Sequence, residues 1–368
     1  MGSTIFRGPT ARNTFVFCII LGLVFHFRLW NLYRDDEAVP VTPASHAGGS
    51  SGSSGAVVVV GDSVYQGTEE EEPSHTAVPV PPPAQASQQP ASAAEAAAGS
   101  GSGAFPKKIW YKLGPKGLST YAKEWTDSCI NQNPGYSVEF MTDETGDAFV
   151  NANFASHPDI LEVYNALTVP ILKADMLRYM LLYVEGGVWF DLDASCEGTP
   201  ISDWVPAAHA DEAQLVVGWE FDGGYHFEFE RQFVTWTVMA KPKVPHMLVV
   251  IREIAESLRR MAEANHVGVD DLTITMIGDV IEATGPKRFH KSVVGSLEKS
   301  VSEPINWEEY HEILEPKMAG DILILPGYSL AASYNTYEPE DQGRVGPSLV
   351  VHHYAGTWKN EHGGETRD

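Results

Sequence analysis

The amino-acid sequence predicts an α/β fold, and three observations carry that prediction. Short apolar or β-branched runs at 108–111, 137–141, 188–191, 214–219, 321–325 and 349–352 read as strands, and they are interleaved with segments read as helices at 161–183, 231–240 and 247–264. Such alternation favours a mainly parallel sheet with helices on its faces. The pair Gly186-Gly187 joins one helix to the buried-type run Val188-Trp189-Phe190, supplying a helix stop and a tight turn. Apolar residues concentrate after Phe105, so a single core is expected within a domain spanning 105–368.

The segments ahead of that domain are of another kind. Residues 1–13 carry Arg7 and Arg12 and precede the apolar run 14–27. With Arg28 snorkelling and Trp30 and Tyr33 at the interface, 14–33 reaches the length of a membrane-spanning helix. The basic flank marks 1–13 as a cytoplasmic tail and sends the rest across the membrane. A cleaved signal peptide is the competing reading; no convincing small-x-small site directly follows the run. Residues 34–104 read as a low-complexity stem, because the Gly/Ser-rich 48–55, the Pro-rich 79–83 and the Ala-rich 91–103 cannot bury a core. Within it, Val57 to Val60 reads as a short sticky piece of linker and Glu69 to Glu72 as a solvated charge run.

Within the domain, the helix 161–183, kinked or started at Pro170, places Asp175 and Arg178 one turn apart on a shared face. An i,i+3 salt bridge is the plain reading of that pair. Strand 188–191 then runs into Asp191-Leu192-Asp193. Continued strand alternation would project Asp191 and Asp193 to one side and Leu192 into the core. Paired carboxylates at the carboxyl end of a parallel-type strand, where open α/β sheets bind ligands, suit a divalent cation with positions left open for phosphate oxygens. That chemistry points to a nucleotide-sugar site and glycosyl transfer, although a bare acidic triplet is more often merely solvated. Trp110, Trp219 and Trp236 offer faces for a base or sugar, against the commoner core role of tryptophan. Asp222, followed by Gly223-Gly224, is a candidate for a sugar or acceptor contact, the glycines allowing close backbone approach.

The charge balance narrows the partners. With 25 Lys and Arg against 49 Asp and Glu, the formal net charge is −24, which excludes a nucleic-acid partner and requires the site to bring its own cation for a diphosphate. Cys129 and Cys196 lack C-x-x-C spacing, so neither a zinc site nor a redox motif is expected, and whether they pair is open.

The run from Leu172 to Asp193 resembles the signature of the sugar-binding D-x-D glycosyltransferases of family 32, and the resemblance extends over nearly all of 105–360. Phe105-Pro106-Lys107-Lys108-Ile109-Trp110 is similar to the family's opening strand. Arg231 to Thr237, Val280 to Pro286, Gly320 to Pro326 and Val351 to Lys359 resemble later blocks of the fungal initiation-specific α-1,6-mannosyltransferases. The resemblance implies a GT-A, Rossmann-like domain and retaining transfer of mannose from GDP-mannose to a mannose-containing N-glycan acceptor. It also implies a type II Golgi membrane protein with a luminal catalytic domain, working alone or in a Golgi mannosyltransferase complex.

Site roles follow from the same resemblance. Asp191 and Asp193 would be metal ligands central to catalysis, and Asp175 and Arg178 would contact the donor sugar and phosphate. His353-Tyr354-Ala355-Gly356 is similar to an H-F-x-G element in which His353 would be a third ligand, tilting the preference from Mg²⁺ to Mn²⁺. A buried, hydrogen-bonded role for that histidine is the alternative. Lys359 would reach the diphosphate or alternatively be a surface charge, and Trp110, on the strength of its ring and not of the resemblance, is a further donor-site candidate. Two other functions stay open: a mannosyltransferase forming mannosyl inositolphosphoceramide, whose group often carries further carboxy-terminal spans where 349–368 ends polar, and a catalytically silent scaffold subunit.

Overall fold

The computed structural model describes residues 103–224 and 231–364; the anchor expected at 14–33 and all but the last two residues of the stem lie outside the described residues. Among the described residues, no helix is long and apolar enough to cross a membrane. The strands are β1 (Lys108–Lys112), β2 (Ser137–Met141), β3 (Gly187–Phe190), β4 (Ala194–Cys196), β5 (Leu215–Gly218), β6 (Thr237–Ala240), β7 (Lys317–Ala319), β8 (Ile322–Leu325) and β9 (Val350–His352). The longer helices are α1 (Thr120–Gln132), α2 (Asp143–Asn153), α3 (Pro158–Ala166), α4 (Pro170–Glu185), α5 (Pro245–Asn265) and α6 (Pro286–Ser300).

Helix starts follow local chemistry. The Ser119 side chain accepts from the Ala122 amide at the start of α1, and Thr142 and Thr145 form a reciprocal capping box at α2. Proline occupies the first turn of α3, α4, α5 and α6, where its missing N–H has no intrahelical partner to lose. The expected helix 161–183 is therefore two helices, α3 and α4, separated by the extended residues around Leu167 and Val169. Helix α4 ends at Gly186 (φ 68°) and Gly187 (φ 96°). A Cβ on Gly187 would lie 2.6 Å from the Lys108 carbonyl oxygen, so close approach to β1 as well as the positive φ requires glycine here.

A seven-stranded sheet runs in the order β2-β1-β3-β6-β5-β8-β7. The parallel pairs β1–β2, β1–β3 and β5–β8 and the antiparallel contacts of β6 and β7 leave five strands pointing one way and two reversed. The carboxyl ends of β1, β3, β5 and β8 thus share one edge. Side-chain alternation divides the core between the two faces: Trp110, Trp189 and Val217 pack under α4, α5 and α6, while Ile109, Tyr111, Val188 and Phe190 pack on the other face. Strand β9 joins β4 in a separate two-stranded antiparallel ribbon.

Three sequence expectations need correction. Residues 231–240 form no helix: the segment is extended, with a bridge at Phe233 and strand β6 at Thr237–Ala240. Its alternating β-branched Val234, Thr235, Thr237 and Val238 suit a strand, and burial on both faces gives the near-continuous apolar run that hides a period of two. Strand β3 stops at Phe190, and Asp191 to Asp193 form a turn closed by the Ala194 amide donating to the Asp191 carbonyl at 3.1 Å. The carboxylates meet through a turn, not through strand alternation. The third is Trp110, expected at the donor: it is fully buried, its indole N–H donates to the Gly186 carbonyl at 2.9 Å, and it is a core residue.

Candidate active site

The acidic turn sits at the carboxyl edge of the sheet and is gripped from three sides. From α4, Arg178 Nη2 donates to Asp191 Oδ1 at 2.9 Å, and Trp189 Nε1 donates to the same oxygen at 2.7 Å. Trp189 lies two residues before Asp191, so the strand's own alternation delivers that donor. Arg178 Nη1 lies 3.0 Å from Asp175 Oδ1, and Thr284 Oγ1 donates to Asp175 Oδ2 at 2.7 Å. Asp175 and Arg178 are each 4% exposed. The i,i+3 pair of the plain reading exists, and Arg178 reaches from it to Asp191.

The charges in this group are set by burial and by one another. Burial disfavours the guanidinium charge, but Asp191 and Asp175 outweigh it and hold Arg178 firmly protonated. Burial pushes the Asp175 carboxyl up, opposed by Arg178 and the Thr284 hydroxyl. A guanidinium at one oxygen and a donated hydroxyl at the other both favour the carboxylate form of Asp175 against that burial.

Asp193 is held by the ribbon. Its Oδ2 accepts from the Ala355 amide at 2.9 Å, its carbonyl accepts from the His353 amide at 2.8 Å, and its Oδ1 lies 3.2 Å from His352 Nε2. Burial would raise its carboxyl, but His352 and the Ala355 amide outweigh that and keep it below the usual carboxylate range. The structure places His352, not His353, at the carboxylates. His352 ends β9 and His353 continues its alternation, so the two rings point to opposite sides of the ribbon. The His352 ring stacks on Trp236 (4.4 Å between centroids, 1°) and meets Tyr354 edge-on at 4.0 Å. The exposed His353 ring stacks on Trp125 and pairs through Nε2 with Ser195 Oγ at 2.8 Å.

One ligand atom each from Asp191, Asp193 and His352 lie within 4.8 Å of one another. Two ligands on one cation, each about 2.1 Å from it at right angles, stand about 3 Å apart. The Asp193–His352 separation of 3.2 Å fits that spacing. Asp191 keeps Oδ2 in reserve while Oδ1 is taken by Arg178 and Trp189. Two carboxylate oxygens and one imidazole suit Mn²⁺.

Other expected site residues stand apart from this cluster. Asp222 is fully buried: it pairs with His311 Nδ1 at 2.7 Å and accepts from the Glu312 amide at 2.6 Å, while its own amide donates to Asn335 Oδ1. That carboxylate clasps three loops together and has no face left for a sugar. Lys359 is exposed on the turn after Tyr354, its amine 5.7 Å from the Trp358 ring centroid. Residues not expected from sequence join the cluster instead: His352 at Asp193, Trp189 at Asp191 and Thr284 at Asp175, while Glu220 is close enough for the His352 charge to act on it. Glu220 is 6% exposed and accepts from Gln232 Nε2 at 2.5 Å; burial pushes its carboxyl up to about 7. The alternation that places Trp189 beside Asp191 was legible; the partner of His352 was not, because it depends on which face of β9 the ribbon turns inward.

Cys129 of α1 and Cys196 of β4 form a disulfide with Cα atoms 4.8 Å apart. Around it Ser128 Oγ accepts from the Cys196 amide at 2.9 Å and Gln132 Nε2 donates to the Cys196 carbonyl at 2.8 Å, so α1 fastens the strand that follows the acidic turn.

Comparison with known proteins finds the same chemistry. Residues 119–211 match the family described as the glycosyltransferase sugar-binding region containing DXD motif, a span that holds Asp175, Arg178, Asp191 and Asp193. That part of the chain is similar to the DXD glycosyltransferases. The chain is 29% identical over 273 residues to the glycosyltransferase HOC1 of Saccharomyces cerevisiae, covering 70% of this chain and 66% of that one. It is 25% identical over 290 residues to the initiation-specific alpha-1,6-mannosyltransferase of Candida albicans, covering 70% and 73%. A shorter stretch of 72 residues, 20% of this chain and 19% of the other, is 36% identical to inositol phosphoceramide mannosyltransferase 3 of Schizosaccharomyces pombe. The aligned part of this chain thus spans about two thirds to three quarters of the two longer-matching relatives. Among solved structures, the PaToxG glycosyltransferase aligns over 54% of this chain and 73% of that one at 13% identity and a TM-score of 0.36, too loose a likeness to carry an argument.

Proposed function

We propose that this protein is a retaining, GT-A-type mannosyltransferase that moves mannose from GDP-mannose to a mannose residue of an N-glycan, forming an α-1,6 linkage. The observation that carries the reading is the meeting of Asp191, Asp193 and His352 at the sheet's carboxyl edge, inside a chain whose relatives are named for mannosyl transfer. Asp191, Asp193 and His352 would hold a divalent cation, Mn²⁺ by preference, which supplies charge to the donor diphosphate and Lewis acidity toward its leaving oxygen. Arg178 fixes Asp191 in place and adds a permanent positive charge beside the diphosphate position. Trp236 and Tyr354 clamp the His352 ring, so its orientation is set before any ligand arrives. The protein acts from a luminal position at the Golgi membrane, with 14–33 as anchor and 34–104 as stem. The Cys129–Cys196 disulfide supports an oxidising compartment of that kind.

The acceptor is where the second reading enters. The 36% identity to an inositol phosphoceramide mannosyltransferase favours a glycolipid acceptor over a short stretch, whereas the longer alignments favour a glycan. The test offers the full-length protein GDP-mannose, UDP-glucose or UDP-galactose with Mn²⁺, with and without EDTA, and with mannan-type oligosaccharide or inositol phosphoceramide as acceptor. EDTA-sensitive release of GDP with an α-1,6-mannosylated oligosaccharide as product is the expected result. Selective use of a UDP-sugar discards the mannosyl assignment, transfer to the lipid alone changes the acceptor, and no turnover with any pair leaves a silent scaffold.

A further inference from the structure

The outer face of the β4–β9 ribbon carries a row of stacked rings that the chemistry above does not use. Tyr121 and Trp125, four residues apart on one face of α1, stack with centroids 5.9 Å apart and planes 23° apart. Trp125 then stacks on His353 at 4.3 Å and 8°. Tyr121 is 68% exposed, Leu118 just before it is 36% exposed, and His353 is also exposed. A tyrosine left this open forgoes the burial that normally stabilises an aromatic side chain. The row is also rigid. Trp125 is half-buried, the disulfide holds the far end of α1 to β4, and the His353 amide donates to the Asp193 carbonyl.

Position argues what the row meets. Helix α1 follows the loop after β1, and β1 runs parallel to β3, so the amino-terminal half of α1 lies at the same sheet edge as the acidic turn. The donor diphosphate belongs on the inner face of the ribbon, with His352. The outer face is joined to that site through the backbone of Asp193, whose carbonyl accepts from the His353 amide. A neutral pyranose presents a flat face of C–H groups that covers an aromatic ring while its hydroxyls stay in water, and an oligosaccharide extends beyond the one sugar that reacts. We infer that Tyr121 and Trp125 form an acceptor subsite that stacks non-reacting hexose residues of a glycan acceptor.

This inference rests on the mannosyltransferase reading, and its test separates the two. Full-length wild type and Tyr121→Ala, Tyr121→Phe and Trp125→Ala are assayed with GDP-mannose and Mn²⁺ against a long mannan oligosaccharide and against methyl mannoside. The expected result is a KM for the oligosaccharide raised about three- to tenfold by either alanine and restored by Tyr121→Phe, an effect of the size of one lost stacking contact. KM for GDP-mannose and the rate with methyl mannoside stay at wild-type values. An unchanged oligosaccharide KM in both alanine variants overturns the inference. So does a raised KM for GDP-mannose, which would make the row a donor-base platform. Binding of the oligosaccharide followed by tryptophan fluorescence needs no turnover. If wild type transfers no mannose yet binds the oligosaccharide, and Tyr121→Ala weakens that binding, the subsite stands while the proposed donor falls.

Discussion

The two faces of the β4–β9 ribbon carry adjacent histidines with opposite surroundings. On the inner face His352 is clamped between Trp236 and Tyr354 and directed at Asp193; on the outer face His353 is exposed, stacked on Trp125 and paired with Ser195. Neither difference lies in the imidazole. A strand assigns neighbouring side chains to opposite sides, and the side that meets the carboxylates becomes the ligand side. The largest test of that division is Asp193→Ala. It removes the carboxylate at which the inner face converges and should take GDP-mannose turnover to background, while Asp222→Asn, a change in a clasp away from the cluster, lowers stability and leaves measurable turnover in the folded fraction.

Arg178→Lys breaks the same face more gently. Arg178 contacts Asp175 and Asp191 at once through a planar fork, which a lysine point charge does not reproduce. Metal affinity, read by Mn²⁺ titration, should fall about 10- to 100-fold, as for loss of other groups that orient ligands. On the outer side, Cys129→Ser with Cys196→Ser frees α1 from β4. Thermal unfolding should show a loss of about 2–4 kcal/mol.

A third imidazole extends the comparison away from the ribbon. His290 is enclosed by Trp219 and Phe233, and burial holds it to about 4 against its ordinary 6.5. The unfolded chain therefore takes up that proton first as pH falls. Stability from this group is full above about 6.5 and declines toward pH 4, by on the order of 3 kcal/mol. In His290→Phe, the pH dependence of the unfolding midpoint between pH 6.5 and 4 should flatten by that amount; an unchanged slope would mean that His290 is protonated in the fold.

Much of the sheet was legible because its strands are short apolar runs bounded by turns: β1, β2, β3, β5 and β8 lie within a residue or two of their expected positions. Strand β6 was not, since a strand buried on both faces between β3 and β5 shows neither period clearly. Asp191, Asp193, Asp175 and Arg178 could be named in advance because they lie within 19 residues of chain around one glycine turn, in the run that carries the D-x-D resemblance. The third residue of the cluster comes from a strand far along the sequence, and only pairing with β4 decides whether His352 or His353 faces inward. The disulfide was left open for the same reason, since contact between α1 and β4 is a tertiary fact. Trp110 and Asp222 looked available in the sequence and are consumed by the core and by a loop clasp.

The central claim is that Asp191, Asp193 and His352 together hold the divalent cation. It is tested most directly by Mn²⁺ binding to the full-length protein in the presence of GDP, followed by electron paramagnetic resonance of free Mn²⁺, in wild type, His352→Ala and His353→Ala. The account predicts one bound ion per chain in wild type and in His353→Ala, and binding weakened at least about tenfold in His352→Ala. Wild-type binding in His352→Ala with loss in His353→Ala would contradict it and return the third ligand to the outer face of the ribbon.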